Sequence, residues 1–581
     1  MVTSGRRTML GIRAISLFMT LTVVACAGPS TPTGSDSRSN SSGAAPRPAR
    51  VVIAVGSDTP HFSTKLDASE AGSFRYDTRF MVNSPLSILD EQGANRPLLA
   101  AETPSQEAGT WTVNADGSMA TTWKVRPNAV WHNGEPITSN DFVFALRVFQ
   151  DPDIAVYQRA VETRIDKIDA LDDKTFVIHW KQVYLRANRL ITGEMEPLPQ
   201  KAVGALYDEG DKVAFQSSSI WTTPAYVGTG PFRVAEIQPG ILTRYQAFDQ
   251  YFMGRPKADE VVFQVVPDQN AALAQVLAGS IDFTSGQTLN TQSGLAIKQE
   301  WSRSGAGRVL ENPAVLRQFW VQQRPEVASP AALLDPRVRR AIAHGIDRAG
   351  LAAYISGGGS GAADTLVSPT DPMFSRAQQV VSKYPFDRTR ALSLLQEAGW
   401  SRRGDALVND QGEQFVTAYW TSIVSDNVTE MEVIAHDLGQ LGMDVSQYAP
   451  TQAAVTAETT ALFPGMSFLT VRNMLIPEGI QEFTTDQCPT PERRYQGNNR
   501  GCWSNTELDR LFRAATTNLN EAERIDLTLS ALKLLSDELP AVPLSYNIEF
   551  IAVRQGLTGP VARPVAQRGY TWNIHEWGWT N

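Results

Sequence analysis

The chain has 581 residues, 42% of them apolar and 19% charged, which is enough for two or more domains with the composition of a soluble globular protein. Its 61 acidic and 52 basic residues give a formal net charge of −9 at pH 7, and this excludes the basic footprint of a nucleic-acid-binding protein. Beyond the first 25 residues, no stretch is apolar enough to cross a bilayer.

The N-terminal 25 residues have the pattern of an export signal. Three arginines precede an apolar run, at residues 15–24, that is too short to span a membrane permanently. The run ends in Val-Val-Ala-Cys at Cys26, which resembles the bacterial lipobox, whose cysteine receives a diacylglycerol. Residues 26–49, rich in Ser, Pro, Thr and Gly, then predict a flexible tether. We predict a lipoprotein signal peptide at 1–25, lipidation of Cys26 and attachment to the outer face of the plasma membrane; an ordinary secretory peptide and a twin-arginine signal are the alternatives.

The residues before position 142 predict strands, turns and the start of a helix. Extended segments are predicted at 50–55, 74–81, 85–90 and 120–125. The pair Asn133-Gly134 predicts a type I′ hairpin turn, because both residues tolerate positive φ. Thr138 followed by Asp141 has the pattern of a capping box that opens a helix.

Residues 226–283 carry the densest set of motifs. They open with a Gly-Thr-Gly-Pro turn at 228–231, where glycine and proline supply the backbone conformation. A β-branched strand is predicted at 261–266, then a helix with Asp268 as its N-cap, then a strand at 281–283. This order predicts a compact βαβ-like unit.

The second half of the chain also predicts alternating strands and helices. Asp335, followed by proline, and Asn505 are predicted N-caps of two helices. Further helices are predicted at 387–399, 429–442 and 521–538, and strands at 318–321, 415–420, 467–471 and 540–544.

These motifs resemble the bacterial extracellular solute-binding proteins of family 5, the oligopeptide- and dipeptide-binding lipoproteins of ABC importers. The family's G-T-G-P-aromatic turn, aromatic-x-G-x-P link, P-D helix start and G-x-I/V-D ending occur in order within 228–282. Its D-x-R-V-R-x-A-I helix is nearly complete at 335–348, and A-x-x-L-L-x-E-A-G-W stands at 391–400. The resemblance covers most of the chain.

The resemblance implies an α/β, two-lobed periplasmic-binding-protein-like fold (type II, cluster C) with an extra subdomain in the first lobe. We predict lobe I at 50–285, with the inserted subdomain at about 73–215, lobe II at 286–545, and a return of residues 546–581 to lobe I. The resemblance also implies a monomer without cofactor that encloses a small-molecule or peptide ligand. Its partners would be an ABC permease and its ATPase subunits.

Peptide-binding members of the family place an Asp after a cleft strand, in a segment like W-x-x-D-Y-x-D-P, to hold the α-ammonium of the peptide. The equivalent segment here, 471–478, has no Asp at that position; Glu478 is one substitute, and Arg472 suits an anionic or neutral polar group. The predicted ligand-binding residues are Arg472, Asn473, Trp420, Tyr546 and Asn547. For Arg472 and Asn473, an exposed strand end is the alternative.

Cys488 and Cys502 form a close pair that, in an exported protein, predicts a disulfide. The segment between them contains no His, so it lacks the ligands for a metal site. Neither G-x-S-x-G nor H-E-x-x-H occurs, and the six His are dispersed, so we predict no catalytic residue and no metal.

The predicted function is therefore capture of oligopeptides or a related small solute for an ABC importer. A transport-independent sensor or scaffold in cell-envelope biosynthesis, using the same fold, is the alternative. A secreted hydrolase is a third reading, since carboxylates distant in sequence can meet in the fold.

Overall fold

The computed structural model describes residues 49–59, 61–66, 74–157, 159–358, 361–423, 425–451, 454–468, 471–472, 476–563 and 569–580, with the backbone alone at 314, 425, 471 and 472. The predicted signal peptide, Cys26 and the tether up to residue 48 lie outside the described residues, as does Asn473.

The first half of the chain contributes strands to one large mixed sheet and forms a smaller antiparallel sheet. Its strands are β1 (Arg50–Val55), β2 (Ser87–Leu89), β3 (Asn95–Pro97), β4 (Trp111–Val113), β5 (Met119–Lys124), β6 (Ile165–Ala170), β7 (Thr175–Trp180), β8 (Phe232–Gln238), β9 (Leu242–Ala247), β10 (Glu260–Val265) and β11 (Phe283–Thr284). Its helices are α1 (Phe74–Val82), α2 (Ser139–Gln150), α3 (Gln200–Asp208), α4 (Lys212–Gln216) and α5 (Gln269–Leu277). The smaller sheet has the order β4-β5-β7-β6.

The predicted βαβ unit is present as β10, α5 and β11. Both strands run parallel to β1, which lies between them. Asp268 caps α5 because its carboxylate accepts the N–H of Ala271 at 2.7 Å. Val261 and Val262, which identify β10 in the sequence, are buried between the neighbouring strands β1 and β9.

The Gly-Thr-Gly-Pro turn packs directly against the end of α1. The N–H of Gly230 donates to the Val82 carbonyl at 2.9 Å, and a Cβ on Gly230 would lie 2.4 Å from the Val82 carbonyl carbon, so only glycine fits. On the other side, His132 Nδ1 accepts the N–H of Gly228 at 3.2 Å, and its Nε2 lies 3.0 Å from the Gly230 carbonyl oxygen. Burial lowers the pKa of His132 to about 4, so a neutral imidazole bridges the turn as acceptor and donor.

Two predictions for this half are wrong. Residues 74–81, predicted as extended, form helix α1, because Tyr76 and Phe80 stand four residues apart and bury one helical face. The turn at Asn133-Gly134 is not type I′, because positive φ (+85°) occurs at Gly134 but not at Asn133.

The predicted capping interaction at α2 is present. The Asp141 carboxylate accepts the N–H of Thr138 at 2.7 Å, which fixes the start of the helix.

The second half completes the large sheet and surrounds it with helices. Its strands are β12 (Gly307–Val321), β13 (Trp400–Arg403), β14 (Ala406–Asn409), β15 (Val416–Thr421), β16 (Asp444–Tyr448), β17 (Met466–Phe468), β18 (Val471–Arg472), β19 (Ala541–Arg554), β20 (Leu557–Thr558) and β21 (Gly578–Trp579). Its helices are α6 (Thr291–Ser304), α7 (Pro336–Gly345), α8 (Arg348–Ser356), α9 (Phe374–Val380), α10 (Arg388–Glu397), α11 (Ser425–Gly439), α12 (Ala457–Ala461), α13 (Thr506–Thr517) and α14 (Glu521–Glu538). The predicted N-caps Asp335 and Asn505 both accept backbone N–H groups of α7 and α13.

Two long strands join the halves of the large sheet, whose order is β16-β15-β17-β12-β19-β11-β1-β10-β9-β8 with β18 beside β12. β12 and β19 pair antiparallel from Gly307 with Arg554 to Trp320 with Ala541, and the register shifts next to Pro313 and Arg317. The sequence predicted only the ends of these strands, 318–321 and 540–544. Their continuous pairing makes one β ribbon that crosses from one half to the other.

The apolar interior is divided into separate cores, which define two lobes. One core contains side chains from β1 through β10 together with residues near the C-terminus such as Tyr570 and Trp577; we call this part lobe I. Two other cores lie on opposite faces of the β12–β19 end of the sheet, one with Phe319 and Ile342, the other with Trp320 and Leu532; we call this part lobe II. The fold is therefore the predicted two-lobed α/β fold, while the exact residue limits of the lobes stay a prediction.

A buried polar network fastens the C-terminal segment to the crossing strands. The carboxylate of Glu549, on β19, accepts hydrogen bonds from Arg563 at 2.6 Å and from the Tyr570 hydroxyl at 2.7 Å. The same hydroxyl accepts a hydrogen bond from Asn312, on β12, at 3.0 Å. This end of the ribbon is therefore held firmly by lobe I.

The predicted disulfide joins Cys488 to Cys502, whose Cα atoms are 4.6 Å apart. Arg324 holds the loop from inside, donating to the carbonyl oxygens of Pro489 at 2.8 Å and Arg500 at 3.0 Å. The loop is thus attached to lobe II both covalently and by hydrogen bonds.

Candidate functional site

Three of the predicted ligand-binding residues lie on neighbouring strands. The backbone of Arg472, on β18, pairs with Leu316 of β12, and Leu316 pairs in turn with Tyr546 of β19. Asn547 is next along β19 and pairs with Val315. The structure therefore brings Arg472, Tyr546 and Asn547 together where the crossing ribbon enters lobe II.

The two predicted aromatic residues have different surroundings. Tyr546 is only 5% exposed, and its hydroxyl donates to the carbonyl oxygens of Thr365 at 2.8 Å and Val367 at 2.7 Å. Trp420 is half-buried at the carboxyl end of β15, where its ring centroid lies 4.8 Å from that of Tyr448. Tyr546 thus fixes the loop after α8, whereas Trp420 leaves part of its ring accessible.

A buried ion pair beneath this region was missed by the sequence analysis. Arg317 Nη2 lies 2.6 Å from the Glu430 carboxylate and also donates to Asn427 at 2.7 Å. Burial raises the pKa of Glu430 to about 7, although Arg317 favours its charged form. A charged residue within the apolar run of β12 was the available signal, since a buried charge needs a partner.

A cavity of about 520 Å³ lies between the lobes. From lobe I it is lined by Leu89, Gly93, Asn95, Leu185, Arg186, Asn188 and Arg189. From lobe II it is lined by residues of the segment around α9, the start of α14 and the segment 476–478. The end of the predicted segment 471–478, residues 476–478, therefore lines this cavity.

An ion pair crosses the cavity from one lobe to the other. Arg186 Nε lies 3.0 Å from Glu478 Oε1, and Arg186 Nη1 lies 3.8 Å from Glu194 in its own lobe. Burial disfavours the charge on Arg186, but the two carboxylates outweigh burial and raise its pKa. Glu478, considered in the sequence as a substitute for the family's Asp, thus contacts an arginine.

A second pair of opposite charges faces the same cavity without direct contact. The Asp371 carboxylate accepts the N–H of Met373 at 2.8 Å. Burial raises the pKa of Asp371, while the nearby Arg189 partly opposes the rise. Arg189 Nε is buried and has no hydrogen-bond partner in the described part of the chain.

No group of three or more His, Cys, Asp or Glu side chains among the described residues is placed to hold a metal ion. No helix in the described ranges is both long and apolar enough to cross a membrane.

Known proteins similar to this chain are solute-binding and peptide-binding proteins. The sequence profile of the bacterial extracellular solute-binding proteins, family 5 Middle, matches residues 97–464. The oligopeptide-binding protein AppA of Bacillus subtilis (strain 168) is 22% identical over 588 residues, which cover 98% of this chain and 99% of that protein. The di/tripeptide-binding protein 2 of Pseudomonas aeruginosa (strain UCBPP-PA14) is 23% identical over 488 residues, covering 80% of this chain and 85% of that protein.

Solved structures share the fold. The oligopeptide binding protein from Thermus thermophilus, complexed with a pentapeptide, aligns with a TM-score of 0.70 and 24% identity, covering 91% of this chain and 96% of that one. NikA from Brucella suis, in complex with Fe(III)-EDTA, aligns with a TM-score of 0.72 and 18% identity, covering 91% and 100%. These two structures contain different ligands, so the shared fold does not by itself identify a ligand.

Proposed function

The chain belongs to family 5 of the bacterial extracellular solute-binding proteins, and from this membership we propose that it captures short peptides between its lobes for an ABC importer. The observation that carries the proposal is the cavity of about 520 Å³ lined by both lobes. Its volume falls within the ~300–1,000 Å³ typical of small-molecule sites. The peptide as ligand is supported by the names of the two relatives described above.

Capture would work through relative motion of the lobes about the crossing ribbon. A ligand that contacts both lobes binds the closed form more tightly than the open form, and so shifts the population toward closure. The permease would then recognise the closed form. No bond of the ligand is made or broken in this cycle, so the protein would act as a binding protein and not as an enzyme.

The residues predicted from the sequence have places in this proposal. Arg472 and Asn473 would contribute to the lobe II wall, because the cavity-lining residues 476–478 begin three positions after Asn473. Trp420 would offer an aromatic face at its accessible ring. Tyr546 and Asn547 would hold β19 in place where the ribbon enters lobe II.

The lipid anchor remains part of the proposal. A diacylglycerol on Cys26 would hold the protein, as a monomer, on the outer face of the plasma membrane, next to the permease. Cys26→Ser should release the protein from the membrane fraction into the supernatant. Retention of this variant in the membrane fraction would contradict lipid anchoring at this cysteine.

Mass spectrometry of material released on denaturation tests the ligand class directly. Peptides should co-purify with the native protein, and their removal by partial unfolding and refolding should expose a site that binds added tripeptides by calorimetry. Co-purification of a non-peptide solute, together with no heat from any peptide, would overturn the proposal. Absence of permease and ATPase genes beside this one would favour the sensor or scaffold alternative.

A further inference from the structure

The lining of the inter-lobe cavity has a small excess of positive charge, whereas the chain as a whole is acidic. The charged residues that line the cavity are Arg186, Arg189, Arg376 and Arg524 against Asp371, Glu478 and Glu521. Because acidic residues outnumber basic ones by 61 to 52 over the chain, this balance is a local feature of the cavity. A concave site with a net positive charge attracts anionic ligands.

Much of this positive charge has no direct ion-pair partner among the described residues. Among the cavity arginines, only Arg186 forms an ion pair with described residues. Arg524 donates to the carbonyl oxygen of Asn518 at 3.2 Å, which does not neutralise it. Arg189 has a buried Nε without a hydrogen-bond partner in the described part of the chain. Arg189 also lines the cavity, so a ligand carboxylate there would give its guanidinium a charged partner.

The carboxylates of the cavity are poorly placed to receive a ligand cation. Glu478 already contacts Arg186. Asp371 is bound to the N–H of Met373, and its raised pKa reflects the cost of keeping it charged while buried. Glu521 is exposed at the start of α14. A ligand ammonium would therefore meet repulsion from the arginines, with only the buried Asp371 as a carboxylate outside an ion pair and away from the exposed helix start.

We propose that the cavity selects anionic ligands, acidic peptides in the first place, and that Arg189 receives the ligand carboxylate. A planar guanidinium binds a carboxylate through two parallel hydrogen bonds, which gives both affinity and orientation. The choice of a peptide rests on the proposed function; the choice of an anion rests on the cavity charges alone.

Calorimetry with the tripeptides Ala-Glu-Ala, Ala-Gln-Ala and Ala-Lys-Ala tests this selectivity. The wild-type protein should bind the glutamate peptide about 10- to 100-fold more tightly than the glutamine peptide, and the lysine peptide most weakly. Arg189→Gln should remove the preference while still binding Ala-Gln-Ala, and Arg189→Lys should restore part of it. The matched control is Arg147→Gln, which removes an exposed arginine of lobe I that pairs with Asp208.

Thermal unfolding checks that Arg189→Gln is folded like the wild type. Equal wild-type affinity for all three peptides, or a preference that survives in Arg189→Gln, would overturn the inference. If no peptide binds, the proposed function fails and citrate becomes the probe of the inference. Citrate binding that is lost in Arg189→Gln would then support an anionic site, and the absence of citrate binding would overturn it.

Discussion

Removing the ion pair between Arg186 and Glu478 should shift the balance between the closed and open forms. Because this pair joins lobe I to lobe II across the cavity, it exists only when the lobes are close. Glu478→Gln removes the negative charge while keeping the size of the side chain. The closed form should therefore lose stability relative to the open form.

The structure sets the size of the effect. At the observed 3.0 Å and an effective dielectric constant of about 20, two unit charges attract by about 5.5 kcal/mol before desolvation. The net loss is smaller, because the side chains of Arg186 and Glu478 are still 22% and 29% exposed. Glu194, 3.8 Å from Arg186, also remains to compensate the arginine. We expect a loss of about 1–2 kcal/mol, or roughly a 5- to 30-fold fall in the closed-to-open ratio.

Single-molecule fluorescence transfer between one dye on each lobe, without ligand, measures this ratio. The control is Asp208→Asn, which breaks a surface pair within lobe I whose side chains are 52% and 60% exposed, and which should leave the distribution unchanged. A Glu478→Gln distribution that coincides with the wild type would refute the assignment of this pair as a link between closed lobes.

Three further predictions concern stability. His132→Gln should flatten the fall in unfolding free energy between about pH 6.5 and 4, up to about 3 kcal/mol, measured by urea titration, because the unfolded chain protonates at 6.5 and the folded His132 only at about 4. Gly230→Ala should destabilise by about 2–4 kcal/mol in thermal unfolding, whereas Gly56→Ala, with no atom within 4 Å of the added Cβ, serves as control. Reducing the bond between Cys488 and Cys502 should lower the urea midpoint by the equivalent of about 3 kcal/mol.

Each of these predictions can fail in a defined way. A His132→Gln profile parallel to the wild type would show that the imidazole is not the neutral bridge of the turn. Equal melting temperatures for the Gly230 and Gly56 variants would contradict the close approach of the turn to α1. An unchanged urea midpoint after reduction would mean that the hydrogen bonds of Arg324 suffice to hold the loop.

Local signals in the sequence predicted the elements that depend on neighbouring residues. The caps at Asp268, Asp335 and Asn505 were predictable because each side chain bonds to N–H groups two or three residues further on. Helix α14 was predicted with its observed limits, Glu521–Glu538. In all these cases the residues that decide the structure lie within one or two turns of each other.

The crossing strands could not be predicted at full length, because their stability comes from pairing with a distant strand. The first part of β12 contains Glu311, Asn312 and Pro313, which argue against a central strand. Pairing with β19, more than 200 residues away in sequence, overrides these local preferences. Residues 74–81 were wrongly predicted as extended for a related reason, because a short apolar segment does not by itself distinguish a helix from a strand.

The site was only partly predictable. The segment 471–478 was identified from its departure from the family pattern, and its end lines the cavity. Arg186 and Arg189 were missed because they stand in a stretch without regular periodicity, and their importance depends on Glu478 and Asp371 of the other lobe. Contacts between charged residues that are distant in sequence leave no pattern in a single sequence.

The ribbon of β12 and β19 would also keep the loss of conformational entropy on closure small. Because the lobes are joined by paired backbone and not by loose linkers, closure would bend this ribbon, and the register shifts near Pro313 and Arg317 interrupt its regular pairing. Lobes joined by such a ribbon have few relative orientations in the open form, so closure would cost little conformational entropy. Substitutions that alter the register shifts would therefore change the affinity for any ligand, even where they contact no ligand atom.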